Sequence, residues 1–325
     1  MKRISLYVVA SLVLVFAMSP LAATAKERLA FSGGPEGGTF QYYGNGISIR
    51  LSNNIENVEV SNMASAGSLE NLRRVNAGEA DFGIVYSGDT YLARIGKLAQ
   101  DERQYTKVKA MSYLYGAPAH LVVKADSGIN EVADLEGKRV AVGDPGSGAA
   151  ASAQRFFTSV GLWDKMNVEF IGYSKAASSL GDNLIDAMWV FAGFPNASII
   201  QAAASNKIRL LDLVGPGEKS GFFQEFPFYA TLTIPANTYS GVDYDVASFQ
   251  DSALWVTGDH VSDDIIYKAL AEIYSTEGLA YMLKAHGSAR EMSVESGLKG
   301  IVTPVHPGAI KFWEEKGLTI TPEQK

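Results

Sequence analysis

Cysteine is absent from the 325 residues of the chain. Its absence excludes disulfide bonds, thiol catalysis, zinc sites built on thiolates and a lipid anchor on an N-terminal cysteine. Histidine is nearly as scarce, because the chain has only four, and none belongs to an H-E-x-x-H motif or to a pair at i, i+4 spacing. We therefore expect neither a metal site nor a cofactor.

Positively charged residues are few as well. The chain has 28 Lys and Arg residues against 35 Asp and Glu residues, a formal net charge of −7, and no long basic run. Nucleic-acid binding needs clustered cations, so we expect no nucleic-acid partner. What the chain has instead is 47% hydrophobic and 19% charged residues, which indicates a folded globular protein. A chain of this length usually forms about two domains.

The first 25 residues have the pattern of a secretory signal peptide. Lys2 and Arg3 precede the apolar run Ile4–Ala17, and Ala23-Thr24-Ala25 supplies the small residues that signal peptidase accepts. At about 1.5 Å per residue the apolar run spans about 21 Å, less than the roughly 30 Å of a membrane hydrocarbon core. The pattern predicts a signal peptide over residues 1–25, cleaved after Ala25, and a mature protein secreted into the periplasm.

After this segment, short apolar runs alternate with amphipathic segments. The alternation predicts an α/β fold with largely parallel strands. Among the predicted strands are Val108–Leu114 and Leu121–Lys124, and the last of them is Ala253–Thr257. The pattern predicts only helices after Ser262, including one at Ser293–Leu298.

Two glycine-rich turns give the two halves of the chain a weak internal similarity. Each follows a predicted strand and precedes a predicted helix, the first at Gly33–Thr39 and the second at Gly143–Gly148. Open α/β sheets bind ligands at the carboxyl ends of strands, where such turns bring backbone N–H groups and helix N-termini close to the ligand. Two turns at one crevice would hold a carboxylate or phosphate without lysine or arginine. The plainer alternative is a tight strand-to-helix connection that binds nothing.

Two nucleotide-binding motifs match these turns incompletely. The first turn has the glycine spacing of a P-loop, but Thr39 and Phe40 stand where Lys and Ser or Thr belong. The second contains a G-x-G-x-x-A match from Gly146 to Ala151, but two residues separate it from its strand. Both mismatches disfavour a nucleotide ligand.

Other polar residues also follow predicted strands and are candidate ligand contacts at the same crevice. Taken singly, each is as well explained by an ordinary turn or helix cap. His120 precedes the strand that enters the second half of the chain, and a hydrogen-bonded histidine near a hinge is its simpler interpretation. The candidates placed in this way include Thr39, Ser65, Tyr86, Ser87, Asp89 and His120.

Catalytic patterns are weak by comparison. The chain has no G-x-S-x-G nucleophile elbow, and its carboxylate pairs lie on helix faces predicted to be solvated. We expect no catalytic residues. The alternative from another class is an exported hydrolase that uses the same crevice. It would need a base with a shifted pKa, for which His120, Asp89 and Asp144 are the nearby candidates.

A series of short motifs runs along nearly the whole mature chain. They are Gly-Gly-Thr39, Ser68-Leu-Glu-Asn71, Gly78-Glu-Ala-Asp81-Phe-Gly83, Ala133-Asp-Leu-Glu-Gly-Lys-Arg-Val-Ala-Val-Gly143, Pro145-Gly-Ser-Gly148, Phe228-Tyr-Ala, Thr233-Ile-Pro235 and His306-Pro-Gly308. In this order the motifs resemble those of the TAXI-type solute-binding proteins of TRAP transporters. The segment that ends at Gly143 occurs widely among type II periplasmic binding proteins, whereas the N-terminal and C-terminal motifs are more specific.

The resemblance implies a two-lobed type II periplasmic-binding fold with hinge crossovers and a ligand cleft between the lobes. Lobe one would contain residues 26–118 plus 230–325, and lobe two residues 119–229. The implied protein is not an enzyme. It captures a small solute, an acidic amino acid or dicarboxylate such as glutamate or 2-oxoglutarate, for a sodium-coupled TRAP-type permease in the membrane. A substrate-binding subunit of an ABC transporter shares this fold and is the alternative.

The resemblance also assigns ligand-binding positions. Ser65 and His120 join the candidate site by their placement, and Gln41 and Phe194 join it as departures from the family pattern. Gln41 stands where the family often has Tyr, Ala149-Ala150 replaces Thr-Glu, and Phe194 replaces a small polar residue. These changes remove polar groups and add bulk. The residues carried over from the family are Gly38, Thr39, Tyr86, Ser87, Asp89, Ser147, Gly148 and Gly193.

Overall fold

The computed structural model describes residues 26–99 and 101–325. The signal peptide predicted over residues 1–25 lies outside the described residues. Among the helices of the described ranges, none combines the length and the apolar character needed to cross a membrane.

Strands and helices alternate over most of the described chain, as the sequence pattern predicts. The strands are β1 (Glu27–Ser32), β2 (Val58–Met63), β3 (Phe82–Tyr86), β4 (Val108–Lys124), β5 (Arg139–Ala141), β6 (Asn167–Glu169), β7 (Ala187–Phe191), β8 (Ile208–Leu210), β9 (Ala230–Ile234) and β10 (Val246–Gly258). The α-helices are α1 (Thr39–Asn54), α2 (Ser68–Ala77), α3 (Ser87–Arg94), α4 (Gly148–Ser159), α5 (Tyr173–Gly181), α6 (Ala197–Ser205), α7 (Val214–Ser220), α8 (Phe222–Glu225), α9 (Asp263–Ile273), α10 (Thr276–Ala285) and α11 (Pro307–Glu315).

The strands form one continuous sheet in the order β2-β1-β3-β10-β4-β7-β5-β6, with β8 beside β4 and β9 beside β10. Strands β1, β2 and β3 run parallel, and so do β5, β6 and β7. The two parallel groups are separated by β10 and β4, which pair with their neighbours in antiparallel fashion. A sheet of this kind buries both faces of its parallel strands, and all five residues of β3 and of β7 are buried.

Strand β4 joins the two groups. Residues 108–118 pair with β10, whereas residues 119–124 pair with β7 and β8. We call the part built on β1, β2 and β3 the first lobe and the part built on β5 to β8 the second lobe. The sequence predicts two strands, Val108–Leu114 and Leu121–Lys124, where the structure has one strand of 17 residues. The residues between them, including Gly116 and Pro118, discourage a strand by composition but lie within the pairing with β10.

Helices after Ser262 pack against β4, and no strand follows Ser262 among the described residues, as the sequence pattern predicts. The Trp313 indole donates a hydrogen bond of 2.8 Å to the Met111 carbonyl oxygen, and the Tyr274 hydroxyl donates one of 2.5 Å to the Tyr113 carbonyl oxygen. Both acceptors belong to β4. The helix predicted at Ser293–Leu298 is absent, because that segment consists of turns. The Ser293 hydroxyl donates to the Ser296 hydroxyl, which donates to the Glu291 carbonyl oxygen. Such local bonds compete with helix formation and are typical of serine.

Candidate functional site

Three helices begin at one edge of the sheet. Helix α1 follows β1, α2 follows β2 and α4 follows β5, so the carboxyl ends of parallel strands deliver all three N-termini to the space between the lobes. The N-cap residues of α1 and α2 are Gly38 and Gly67, and neither contributes a side-chain hydrogen bond to its helix. Their first backbone N–H groups therefore have no intrahelical partner, and the helix dipoles make this edge electropositive.

A narrow cleft of about 10 Å³, roughly the space of one water molecule, lies between these N-termini. Apolar and aromatic side chains form most of its wall, and backbone groups of glycine and serine form the rest. Within the described ranges, no Asp, Glu, Lys, Arg or His residue lines the cleft. The lining residues are Pro35, Gly38, Thr39, Phe40, Ala66, Gly67, Ser68, Tyr86, Gly148, Ala149, Tyr173, Phe191 and Ala192.

Two tyrosines of the cleft donate to the same carbonyl oxygen. The Tyr173 hydroxyl lies 3.0 Å from the Phe191 carbonyl oxygen, and the Tyr86 hydroxyl donates to it from the first lobe. Burial raises the pKa of both phenols well above the usual value, so both stay protonated donors at neutral pH. The Tyr86 and Phe191 rings also meet edge to face, with centroids 4.7 Å apart.

The lobes touch at several points on the rim of the cleft. The Thr39 hydroxyl donates to the Gly193 carbonyl oxygen at 3.3 Å, and the Ser174 hydroxyl donates to the Glu36 carbonyl oxygen at 3.3 Å. Gly148 is a point of close approach, since a β-carbon added there would lie 2.6 Å from the Ser68 β-carbon. The absence of a side chain at Gly148 is what lets α4 approach the first lobe this closely.

A buried charged cluster lies directly behind Gly148. Arg155 of α4 donates from Nη2 to Asp89 Oδ1 of α3 at 2.8 Å and from Nη1 to the Tyr229 hydroxyl at 3.0 Å. The other Asp89 oxygen, Oδ2, is buried and accepts no hydrogen bond. Asp251 accepts from the backbone N–H groups of Gly88 and Ser252 at 3.0 and 2.7 Å. Burial, followed by the nearby Asp89 charge, raises the pKa of Asp251 to about 8.

Of the predicted ligand-binding residues, four line the cleft: Gly38, Thr39, Tyr86 and Gly148. Gly193 reaches its rim through the bond from Thr39. Ser147 caps α4, with its hydroxyl oxygen accepting from the Ala150 N–H at 3.0 Å. Ser147 and Arg155 also line a wider groove of about 1050 Å³.

The remaining predicted residues have partners within the protein. The Ser65 hydroxyl donates to Asn71 Oδ1 at 2.7 Å, and the Ser87 hydroxyl donates to the Gly300 carbonyl oxygen at 2.5 Å. Gln41 accepts from the Gly34 N–H at 3.1 Å and so braces the first glycine turn. The Phe194 ring lies 5.0 Å from the Arg290 guanidinium.

His120 lies at the junction of the lobes, one residue into the part of β4 that pairs with β7. Its Nε2 lies 3.1 Å from the Tyr239 hydroxyl, and its Nδ1 lies 3.1 Å from the Pro118 carbonyl oxygen. Burial lowers the pKa of His120 to about 4, so the ring is neutral at physiological pH.

Several residues of this region carry no signal in the sequence. Arg155 lies in the middle of a helix, and Asp251 lies in the middle of a strand that the pattern starts only at Ala253. Phe40, Tyr173 and Phe191 look like ordinary core residues. Only the folded structure brings the three aromatic residues to the wall of the cleft and the two charged ones to the cluster behind it. No group of three or more His, Asp or Glu side chains that could hold a metal ion occurs within residues 26–99 and 101–325.

Comparison with known proteins gives both a family and a fold. A model of the NMT1-like family matches residues 31–317. MatC from Rhodopseudomonas palustris with bound malate is 14% identical, with a TM-score of 0.52 over 81% of this chain and 88% of that one. A protein described as an L-cystine ABC transporter from Listeria monocytogenes is 14% identical, with a TM-score of 0.50 over 79% and 94%.

A further solved structure, the alkanesulfonate-binding protein SsuA from Xanthomonas axonopodis pv. citri bound to MOPS, is 14% identical. It covers 90% of this chain and 92% of its own, with a TM-score of 0.48. The mixed α/β architecture and the likenesses to MatC and to the Listeria protein confirm the predicted two-lobed periplasmic-binding fold.

Proposed function

The chain belongs to the NMT1-like family, and we propose that it is a solute-binding protein, which captures a small solute outside the cytoplasm and delivers it to a membrane permease. The observation that carries the proposal is the convergence of three helix N-termini on one cleft between two lobes. The related folds of MatC with bound malate and of the Listeria protein support it.

The chemistry of the cleft favours a small anion. The first helical N–H groups of α1, α2 and α4, at Thr39, Ser68 and Gly148, supply donors and partial positive charge. No carboxylate lines the wall to repel an anionic solute. We therefore propose a carboxylate solute, an acidic amino acid or a dicarboxylate such as glutamate or 2-oxoglutarate, and the malate bound to MatC supports this class.

The cleft is too narrow to admit a solute as the lobes now lie. Its volume of about 10 Å³ is far below the usual range of about 300–1,000 Å³ for ligand pockets. Bonds such as that from Thr39 to Gly193 close its rim, so the solute would enter only after the lobes separate. We propose that lobe one, residues 26–118 plus 230–325, moves against lobe two, residues 119–229, by bending at the crossovers.

We propose two alternative kinds of permease partner. The Listeria protein, described as an ABC transporter, favours an ABC permease driven by ATP hydrolysis. The motifs from Gly-Gly-Thr39 to His306-Pro-Gly308 favour a sodium-coupled TRAP permease. Uptake of the recovered solute by the native cells separates the two proposals. If removal of the sodium gradient abolishes uptake, the result supports the TRAP partner. If uptake needs ATP but not sodium, the result supports the ABC partner.

Binding is favoured over turnover by the placement of the candidate bases. His120 is bonded to Tyr239 and to backbone carbonyl groups, and Asp89 is paired with Arg155. Asp144 lines an outer groove rather than the cleft. None of the three is therefore placed to act as a general base on a solute held at the helix N-termini.

The first test is to identify small molecules released when the purified mature protein is denatured, by mass spectrometry. A thermal-shift panel of amino acids and dicarboxylates follows. A solute at 100 times its dissociation constant adds about 2.7 kcal/mol, which raises the unfolding midpoint by several degrees. Gly148→Ala serves as the matched control, since it blocks the cleft and should lose the shift. A flat panel with nothing released would overturn the carboxylate assignment, and chemical conversion of the solute would overturn the binding function.

A further inference from the structure

The ion pair between Asp89 and Arg155 joins the two lobes across the cleft. Asp89 belongs to α3 of the first lobe, and Arg155 belongs to α4 of the second. Their side chains retain only 1% and 13% exposure, and the Nη2–Oδ1 distance is 2.8 Å. By contrast, the bidentate pair of Arg139 and Asp186 lies within the second lobe, with side chains 40% and 29% exposed.

Helix α4 presents Arg155 and Gly148 on the same face. The two residues are seven positions apart, which is close to two helical turns. Asp89 contacts both of them: Oδ1 accepts from Arg155, and Oδ2 would lie 2.7 Å from a β-carbon added at Gly148. The charge pair and the close contact at the cleft are therefore two parts of one interface between α3 and α4.

We propose that Arg155 is a positioning residue for solute capture. By pairing with Asp89 it holds the N-terminus of α4 against Ser68 and Tyr86, and so holds the cleft closed without touching the solute. The proposal rests on the proposed solute-binding function, because it assigns to Arg155 the approach of the two lobes that solute capture requires.

The reason is the cost of an unpaired buried charge. If Arg155 is replaced by a neutral side chain, Asp89 is left buried with an unpartnered Oδ2 and with the Asp251 carboxyl nearby. Opening the lobes returns Asp89 to water and removes this penalty. The variant therefore favours the open form, whereas breaking a pair within one lobe does not.

The closed form can be measured without any solute, because the chain has no cysteine of its own. A β-carbon added at Gly37 would lie 3.8 Å from the Ser198 β-carbon of the other lobe, a separation that suits a disulfide bond. In a Gly37→Cys, Ser198→Cys background, the rate of disulfide formation with oxidised glutathione reports the fraction of closed molecules. The strain of a non-glycine residue at position 37, where φ is +74°, is common to all variants compared.

We expect Arg155→Met to slow this cross-linking at least tenfold and Asp89→Asn to slow it as well. Arg155→Lys should give an intermediate rate, because lysine keeps the charge but loses the second bond to Tyr229. Arg139→Met, the matched control, should leave the rate unchanged. A lower unfolding midpoint of Arg155→Met with an unchanged cross-linking rate would overturn the proposal and leave Arg155 a structural residue. Since no solute is present, failure to find one would count against the proposed function alone.

Discussion

The carbonyl oxygen of Phe191 in the second lobe accepts a hydrogen bond from the Tyr86 hydroxyl of the first, although the two residues are 105 positions apart in the chain. Tyr173, which belongs to the same lobe as Phe191, donates to that oxygen at 3.0 Å. One backbone acceptor therefore has a donor from each lobe, and the two donors can be removed separately.

Replacing Tyr86 with Phe removes the donor that crosses the cleft. The Phe191 carbonyl keeps its bond from Tyr173, so we expect the free energy of unfolding to change by less than about 1 kcal/mol. Affinity for the recovered solute should fall about fivefold, which corresponds to one net hydrogen bond of about 1 kcal/mol. Calorimetric titration measures the affinity. Tyr173→Phe is the matched control and should weaken binding less than Tyr86→Phe; the reverse order would contradict the assignment.

Replacing Gly148 with Ala inserts a methyl group where the lobes are in closest contact. It would lie 2.6 Å from the Ser68 β-carbon and 2.7 Å from Asp89 Oδ2, both shorter than van der Waals contact. Because alanine suits a helix better than glycine does, the open form should tolerate the change. We expect at least a tenfold loss of solute affinity with a nearly unchanged unfolding midpoint. The control is Gly181→Ala, whose added β-carbon comes no closer than 3.4 Å to Asn206. Equal affinities for both variants would show that the lobes do not close at Gly148.

Replacing Ser147 with Ala removes the N-cap of α4. The hydroxyl oxygen accepts from the Ala150 N–H at 3.0 Å, and loss of such a cap costs about 1 kcal/mol of stability, measured by urea denaturation. Because the hydroxyl hydrogen is also free to donate, we expect solute binding to weaken by about 1 kcal/mol or more. Ser147→Asn preserves the cap and separates the two effects. Unchanged affinity in Ser147→Ala would remove this residue from the binding site.

The raised pKa of Asp251 predicts a pH dependence of stability. With a pKa of about 8 in the folded protein against 3.8 for an ordinary aspartate, the folded state binds a proton that the unfolded state releases. The contribution of this group to stability is complete below about pH 4 and is lost as the pH rises to about 8. Asp251→Asn cannot titrate, so its stability relative to the wild type should increase with pH over this range.

Urea denaturation between pH 5 and pH 8 measures the effect, and the slope is at most about 1.4 kcal/mol per pH unit. The buried His120, whose pKa is lowered to about 4, changes stability in the opposite direction below pH 6.5. It is common to both proteins and cancels in the difference. Asp243→Asn, at an exposed position, is the control, and a profile identical to that of Asp251→Asn would refute the prediction.

The parts of the fold that the sequence predicts are those set by local pattern. Buried parallel strands such as β3 and β7 are short apolar runs, and the glycine turns mark the N-termini of α1 and α4 correctly. Local sequence pattern does not predict that β4 is continuous, since Gly116 and Pro118 belong to the strand only because β10 pairs with them. Likewise the start of β10 at Val246, seven residues before the predicted strand, depends on its pairing with β9.

The candidate site divides in the same way. Residues on glycine turns, such as Thr39 and Gly148, are predictable because the turn itself marks the end of a strand. Tyr173 and Arg155 are not, because each lies in a helix and its partner, Phe191 or Asp89, is distant in the sequence. Contacts between residues that are far apart in the chain produce no recognisable spacing pattern in the sequence.

The continuity of strand β4 affects how the two lobes can move. Its backbone ladder passes from one lobe to the other without interruption, and its pairing with β10 contains two register shifts, at Ala253/Leu254 and at Trp255/Val256. Two lobes connected in this way cannot move as independently as two domains on a flexible linker. If the lobes separate, the shared strands must twist, and the resistance of their hydrogen-bonded ladder to twisting would limit how far the lobes open.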